Sequence, residues 1–396
     1  MRSAVIVDAV RTPSGRGKPG GALSGVHPVD LLAGVLKTLV ERSGIDPHLV
    51  EDVLGGCVMQ VGEQSVNVTR QAVLGAGLPL TVPATTIDRQ CGSSQQAAHF
   101  GAQGVIAGAY DVVVACGVES MSRVPLGTSV LGKDPFGSAV GARFPEGLVH
   151  QGISAELIAA RWKFDRGQLD EFSAASHARA AATAAAGGFE RELLAVPVPA
   201  DGSTVPVTAD ETVRAGTTAE GLAQLQPSFR TDAFTARFPE IGWRITPGNS
   251  SPLTDGASAV LIMEEAAAVR LGLVPRARFH SFAVVGDDPL FMLTGPIPAT
   301  RKVLDRAGLA LDEIDAYEVN EAFAPVPLAW AHDLAADPAR LNPRGGAIAL
   351  GHALGSSGTR LLTTMLHYLE DTGGRYGLQT MCEGGGMANA TIIERL

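Results

Sequence analysis

The sequence predicts an α/β protein built from two similar halves, and three observations lead there. β-prone apolar runs alternate with Ala- and Gly-rich segments of helical spacing at both ends of the chain. A pattern in the first third returns in the last third. Small residues dominate, with 47 Gly among 396 residues and 5% aromatics, as close packing of helices on sheets requires.

The elements follow in order. Residues 4–10 read as a strand and 28–43 as a helix, with Val29, Leu32, Val35, Leu36 and Leu39 forming its apolar stripe. A strand over 52–58, a β-prone run over 82–87, a helix over 93–109 and a buried strand over 111–117 complete the first unit. Residues 119–250 differ in texture. They hold a loop-like stretch over 121–148, helices over 153–162 and 168–186, and a polar, turn-rich segment over 197–217. A strand over 256–263 returns to the first unit's sheet, and 276–285 opens the second unit.

The repeat is explicit. Glu41-Arg42-Ser43-Gly44-Ile45 matches Asp305-Arg306-Ala307-Gly308-Leu309, and Val50-Glu51-Asp52-Val53 matches Leu311-Asp312-Glu313-Ile314. The second match has an offset of 314 − 53 = 261, which carries Cys91 onto His352. Each stands before a helix-like segment, the second running over 353–362. Pseudo-two-fold packing of the halves brings the two helix starts to the centre.

Bulk properties limit the function classes. At 396 residues the chain exceeds one compact core. Its net charge of −10 argues against nucleic acid and anionic membrane surfaces as partners. No apolar run reaches the length of a membrane span, and Met1-Arg2-Ser3 leads straight into a strand rather than a signal peptide. Cys57, Cys91, Cys116 and Cys382 lack metal-type spacing, which points to free thiols in the cytoplasm and to no metal site.

Four glycine-marked sites carry candidate chemistry: Cys91; Asn320-Glu321-Ala322-Phe323-Ala324; Gly351-His352-Ala353-Leu354-Gly355; and Cys382-Glu383-Gly384-Gly385-Gly386. A thiol in the first turn of a helix meets free N–H groups and the positive end of the dipole, which favour thiolate. His352 supplies the base such a nucleophile needs, and Cys382 a second proton-transfer group. The glycines after Cys382 allow backbone N–H groups to approach a carbonyl oxygen.

Over nearly its whole length the sequence resembles the thiolases, which make or cleave 3-ketoacyl-CoA. The resemblance rests on these four sites, on Val10-Arg11-Thr12-Pro13, Gly117-Val118-Glu119-Ser120-Met121-Ser122 and Gly248-Asn249-Ser250-Ser251. Asp255-Gly256-Ala257 and Thr294-Gly295-Pro296-Ile297-Pro298 complete it. It implies duplicated α/β/α halves packed as a five-layered α-β-α-β-α body with an inserted loop domain. The halves are then 1–118 plus 251–273 and 274–396, with 119–250 as the loop domain over the CoA site.

The resemblance also implies roles. Cys91 attacks the 3-keto carbon with His352 as its base, and Cys382 protonates the departing acetyl-CoA enolate. His352 and a water held by Asn320 form one oxyanion hole; the N–H groups of Cys91 and Gly384 form the other. Ser251 and the segment around His150 contact the CoA pantetheine, beside Gln151 and Pro247, while Phe323 and Met292 wall the acyl pocket. CoA is a substrate, no cofactor is bound permanently, and a homodimer or homotetramer is expected. Arg230 or Arg244 are the candidates for the CoA phosphates.

The chain departs from the usual thiolase pattern at several positions. Asp88 replaces Asn, and a carboxylate near Cys91 would raise the thiol pKa unless turned away. Ala353 stands for Pro, Ala388 for Gly, Gln151 for Met and Pro247 for Ala, and the segment 229–245 is long. These changes favour a degradative enzyme for bulky acyl chains, steroid-derived ones included, over a biosynthetic acetoacetyl-CoA thiolase. A non-catalytic acyl-CoA or lipid-binding protein on the same fold is the reading from another class.

Overall fold

The computed structural model describes residues 2–200 and 202–396. The first third contains strands β1 (Ala4–Arg11), β2 (Gly15–Arg16), β3 (Asp52–Gly56), β4 (Ala84–Ile87) and β5 (Val112–Ser120). Among them lie helices α1 (Pro28–Ser43), α2 (Val68–Gly75) and α3 (Ser93–Ala107). The middle holds α4 (Gly137–Arg143), α5 (Gln151–Arg161), α6 (Arg166–Ala185), β6 (Val196–Ala200), β7 (Ser203–Val207), α7 (Ala219–Leu222) and α8 (Asp232–Arg237). Then come β8 (Thr254–Glu264), α9 (Glu265–Arg270), β9 (Ala277–Gly286), α10 (Pro296–Ala307) and β10 (Ala316–Val319). The chain ends with α11 (Pro325–Leu334), α12 (Ala347–Leu350), α13 (Ser357–Thr372), β11 (Tyr376–Glu383) and β12 (Met387–Arg395).

The strand orders show the duplication. The first half runs β4-β3-β5-β8-β1, the second β10-β11-β12-β9. In each, the inner strands pair parallel (β3 with β5, β10 with β11) and the next two pairings are antiparallel. Where the first half has edge strand β4, the second has a single parallel bridge between Tyr317 and Leu341. The sheets meet edge to edge through Val5–Arg278 and Ile6–Ala277.

Local chemistry accounts for the element ends. α1 starts where the His27 ring accepts from the Val29 amide and Pro28 presets φ, and it stops at Gly44, whose φ of 68° suits the left-handed cap. Leu31, Leu32, Val35, Leu36 and Leu39 are buried on one face of the first sheet, and α3 covers the other. α10 and α11 cover the outer face of the second sheet through Ile297, Val303 and Trp330. α3 and α13 form the shared middle layer: Thr359 N donates to Ser94 Oγ at 3.0 Å. A Cβ on Gly358 would stand 2.1 Å from Gln95 N, so only glycine permits this crossing. The layers are α-β-α-β-α.

Two expectations need correction. Residues 354–356 form a 3₁₀ turn and α13 begins at Ser357, so His352 precedes its helix by more than Cys91 precedes α3. The turn-rich segment over 197–217 contains the β6–β7 hairpin, in which Pro197 faces Pro206 across the ladder. Prolines on both strands hid it, since Pro cannot donate to a ladder and demotes a run in any sequence reading. Among the described residues no helix is long and apolar enough to cross a membrane.

Candidate active site

Cys91 sits between Gln90, held at φ 48°, and Gly92, the residue before α3. It is 1% exposed. Its own N–H, the Gly384 N–H and the Gln151 side chain are directed at its sulfur. The expected thiolate does not follow. Burial first, then the Glu383 carboxyl, push the Cys91 thiol up to about 12. The sulfur lies before the first helical turn, and desolvation outweighs the N–H groups that reach it. Asp88 is turned away, with its Oδ1 accepting from Gln90 N at 2.7 Å and from Gln90 Nε2 at 3.3 Å. The carboxyl that acts on Cys91 is Glu383.

His352 is fixed from three sides. Its amide donates to Thr254 Oγ1 at 2.9 Å, its Nδ1 lies 2.6 Å from Ser357 Oγ, and its Nε2 lies 3.3 Å from Asn320 Nδ2. Ser357 donates its one hydroxyl hydrogen to Ala353 O at 2.8 Å. Ser357 therefore accepts from His352, so Nδ1 carries the proton and Nε2 presents a lone pair. Burial, then the Arg360 charge, push the imidazole down to about 3, so it is neutral at rest. The preceding Gly351 has φ 81°, and a Cβ there would lie 2.6 Å from Thr254 Oγ1.

Cys382 is fully buried near the end of β11. The Asn320 side chain hydrogen-bonds its thiol, while burial and then the nearby Cys91 hold it well above the usual thiol range. Asn320, just past β10, thus touches both His352 and Cys382. Its amide N donates to Thr380 O at 3.1 Å, which locks it to β11. The structure brings Cys91, His352, Cys382 and Asn320 into one buried centre, with the half-buried Gly384 at its edge.

Sequence reasoning did not single out two supporting residues. Ser357 sets the imidazole tautomer. Glu119 is 0% exposed and accepts from Val58 N at 3.0 Å, Met59 N at 3.1 Å, Gln64 Nε2 at 2.7 Å and Gly355 N at 2.9 Å. It joins the loop after β3 to the loop that carries His352. A charged residue inside the apolar run 112–118 and its continuation was the available signal.

The candidate CoA contacts separate. Phe323 and Met292 pack in one apolar cluster with Cys382, Leu293 and Ile348. His150 precedes α5, with its ring 5.2 Å from that of Phe229 and 5.6 Å from that of Phe234. Gln151 reaches Cys91 itself. Ser251 is held to Ala322 O through its amide N at 3.0 Å and its Oγ at 3.1 Å. Pro247 lines a groove of about 350 Å³ with Arg214, Thr217, Leu222 and Leu225. The Arg244 guanidinium is half-buried and anchored by one bond, Nη1 to Phe164 O at 2.6 Å; Arg230 is exposed.

Comparison with known proteins adds three findings. Residues 4–266 match the thiolase N-terminal domain and residues 273–395 the thiolase C-terminal domain. The chain is 48% identical to the steroid 3-ketoacyl-CoA thiolase FadA6 of Mycobacterium tuberculosis, over 100% of this chain and 95% of that one. It is 43% identical to the 3-ketoacyl-CoA thiolase of Pseudoalteromonas translucida over the whole of both. Among solved structures, the acetyl-CoA acetyltransferase of Bacillus anthracis superposes with a TM-score of 0.89 at 36% identity, covering 100% of this chain and 99% of that one.

Proposed function

The chain belongs to the thiolase family, and from that premise we propose that it is a degradative acyltransferase. It cleaves a 3-ketoacyl-CoA with free CoA to acetyl-CoA and a shortened acyl-CoA. The observation that carries this reading is Asn320, which touches His352 and Cys382 at once, with the Cys91 charge felt at Cys382.

The chemistry follows from the resting states. His352 Nε2 takes the Cys91 proton as sulfur bonds to the 3-keto carbon. Starting from a neutral thiol and a neutral imidazole, this transfer waits for substrate, whose developing oxyanion offsets the charge separation. The C2–C3 bond then breaks, leaving acyl-Cys91 and an acetyl-CoA enolate. Cys382, held as a thiol by burial, gives its proton to the enolate carbon, a far stronger base. The resulting Cys382 thiolate is strongly basic and takes the proton of an incoming CoA thiol. CoA sulfur attacks acyl-Cys91, and the released Cys91 thiolate recovers its proton from His352.

We read two oxyanion holes in this centre. The N–H groups of Cys91 and Gly384, which reach the resting sulfur, are read as the donors to the carbonyl oxygen of the acyl group carried by that sulfur. Asn320 Oδ1 has no partner among the described residues, so it can hold the water that the other hole needs beside His352. Phe323 and Met292 are read as acyl-pocket walls, and His150, Gln151, Ser251 and Pro247 as the side facing the pantetheine.

The likeness to the steroid enzyme supports bulky 3-ketoacyl-CoAs as substrates. Steady-state thiolysis with acetoacetyl-CoA, a straight eight-carbon 3-ketoacyl-CoA and a steroid-side-chain 3-ketoacyl-CoA tests this. A higher kcat/KM for the longer substrates is expected; a clear preference for acetoacetyl-CoA would favour the biosynthetic alternative. We also read the enzyme as a cytoplasmic homodimer or homotetramer, for which sedimentation gives the subunit number.

A further inference from the structure

Glu383 follows Cys382 and has no part in the steps above. It is 0% exposed, and neither carboxyl oxygen has a hydrogen-bond partner among the described residues. Its Oε1 lies against Gly92: a Cβ built on that glycine would stand 2.0 Å from it and 2.8 Å from Asn389 Nδ2. The Asn389 amide donates instead to Gly92 O at 3.1 Å. Asp88, Arg89 and Cys91 face Glu383 from the segment entering α3, Cys382 precedes it on β11, and β12 presents the neutral Asn389.

An anion buried here without a donor is costly, so the carboxyl keeps its proton. Burial pushes it up to about 8, opposed by the Arg89 charge and aided by that of Asp88. Once charged, it holds both Cys91 and Cys382 further above the usual thiol range.

We propose that Glu383 is a positioning residue for the nucleophile: an acid kept uncharged against Gly92 so that Cys91 can ionise, and whose own ionisation in alkali suppresses that step. The proposal rests on reading Cys91 as the nucleophile. Carboxyl and thiol share room for one negative charge. At neutral pH the Cys91 proton passes to His352 while Glu383 keeps its own. In alkali Glu383 loses its proton to solvent, and a thiolate must then form beside an existing anion.

The test uses the full chain without CoA and reads carbamidomethylation of Cys91 by iodoacetamide, by peptide mass, from pH 6 to 10. The wild-type rate should rise to about pH 8 and then flatten. In Glu383→Gln it should keep rising by up to ~10-fold per pH unit, as a thiol below its pKa does. Below pH 7 the two should agree within about 2-fold, because a neutral acid and a neutral amide act alike on the thiol. Glu383→Met, uncharged and unbranched, should follow the Gln variant and serves if Gln does not fold. Superimposable profiles for wild type and either variant overturn the proposal. So does a loss of more than about 10-fold at pH 7 in a folded variant, which would mean that the ionised carboxylate is required. Failure of substrate to acylate Cys91 would sink the thiolysis reading but leave these profiles intact, so the two failures are distinguishable.

Discussion

Glu119, on β5 of the first half, accepts a hydrogen bond at 2.9 Å from the amide of Gly355, three residues beyond His352 in the second half. The same carboxyl receives Val58 N, Met59 N and Gln64 Nε2. Two loops from different halves are therefore set by one buried group. Glu119→Ala leaves three backbone donors unpaired in the interior, each costing about 1–3 kcal/mol. A loss of at least ~3 kcal/mol in urea denaturation is expected. In whatever folds, kcat should fall more than KM rises, because the His352 loop shifts. Unchanged stability would show that the loops hold themselves.

Ser357 decides which nitrogen of His352 carries the proton. In Ser357→Ala the imidazole loses its 2.6 Å acceptor and is free to turn or to change tautomer. We expect kcat to drop about 10- to 100-fold with little change in folding, in line with losses from removing the support of a catalytic histidine. Ser357→Thr, which retains the hydroxyl, should recover much of it. Steady-state kinetics on both variants checks this.

Backbone contact between the halves admits no side chain. A Cβ on Gly355 would lie 2.5 Å from Val118 O and 2.6 Å from Gly56 O. Gly355→Ala should cost more than ~3 kcal/mol or give insoluble protein. Gly34, inside α1 with open space around its Cβ position, is the control. Gly34→Ala should raise stability by about 0.5–1 kcal/mol through helix propensity. Paired thermal melts read both.

The acid and alkaline limbs of stability have separate owners. His352 and His99 are buried neutral, pushed down to about 3, so below pH 6.5 the unfolded chain binds their protons and the fold does not. Their contribution is lost as pH falls from about 6.5 toward 3, at about 1.4 kcal/mol per unit for each. Glu318 and Glu383, pushed up to about 8 by burial, have the opposite sign: the fold holds their protons while the unfolded chain releases them above 4.5. Their cost grows from there until about pH 8. Between 4.5 and 6.5 the four groups nearly cancel, and above 6.5 only the acids act. Glu318→Gln should therefore flatten the decline in denaturation midpoint between pH 6.5 and 8. An unchanged slope would show that Glu318 is already ionised in the fold.

Much of this was legible in residue order. The repeat is readable, but its 261 offset is not the structural one. Asp52 to Ala316, Ser93 to Ser357 and Val112 to Tyr376 each span 264 residues, so the short match through Val53 and Ile314 slips by three residues in the turn before the strand. Spacing of Leu32, Val35, Leu36 and Leu39 marks α1 to its observed ends. Less local facts were not readable. The β6–β7 hairpin contradicts its own prolines, and the anchor of Arg244 on Phe164 O joins residues 80 apart in the chain.

By itself, then, the sequence determined the family and pointed to the two halves and to the residues read as reacting groups, since these are written in residue types and their order. The tertiary structure alone decided their charge states. Whether Cys91 is thiol or thiolate, which nitrogen of His352 bears a proton, and whether Glu383 rather than Asp88 weighs on the nucleophile depend on desolvation and on partners far apart in the chain. Those quantities exist only once the two halves have closed over the site and excluded water from it.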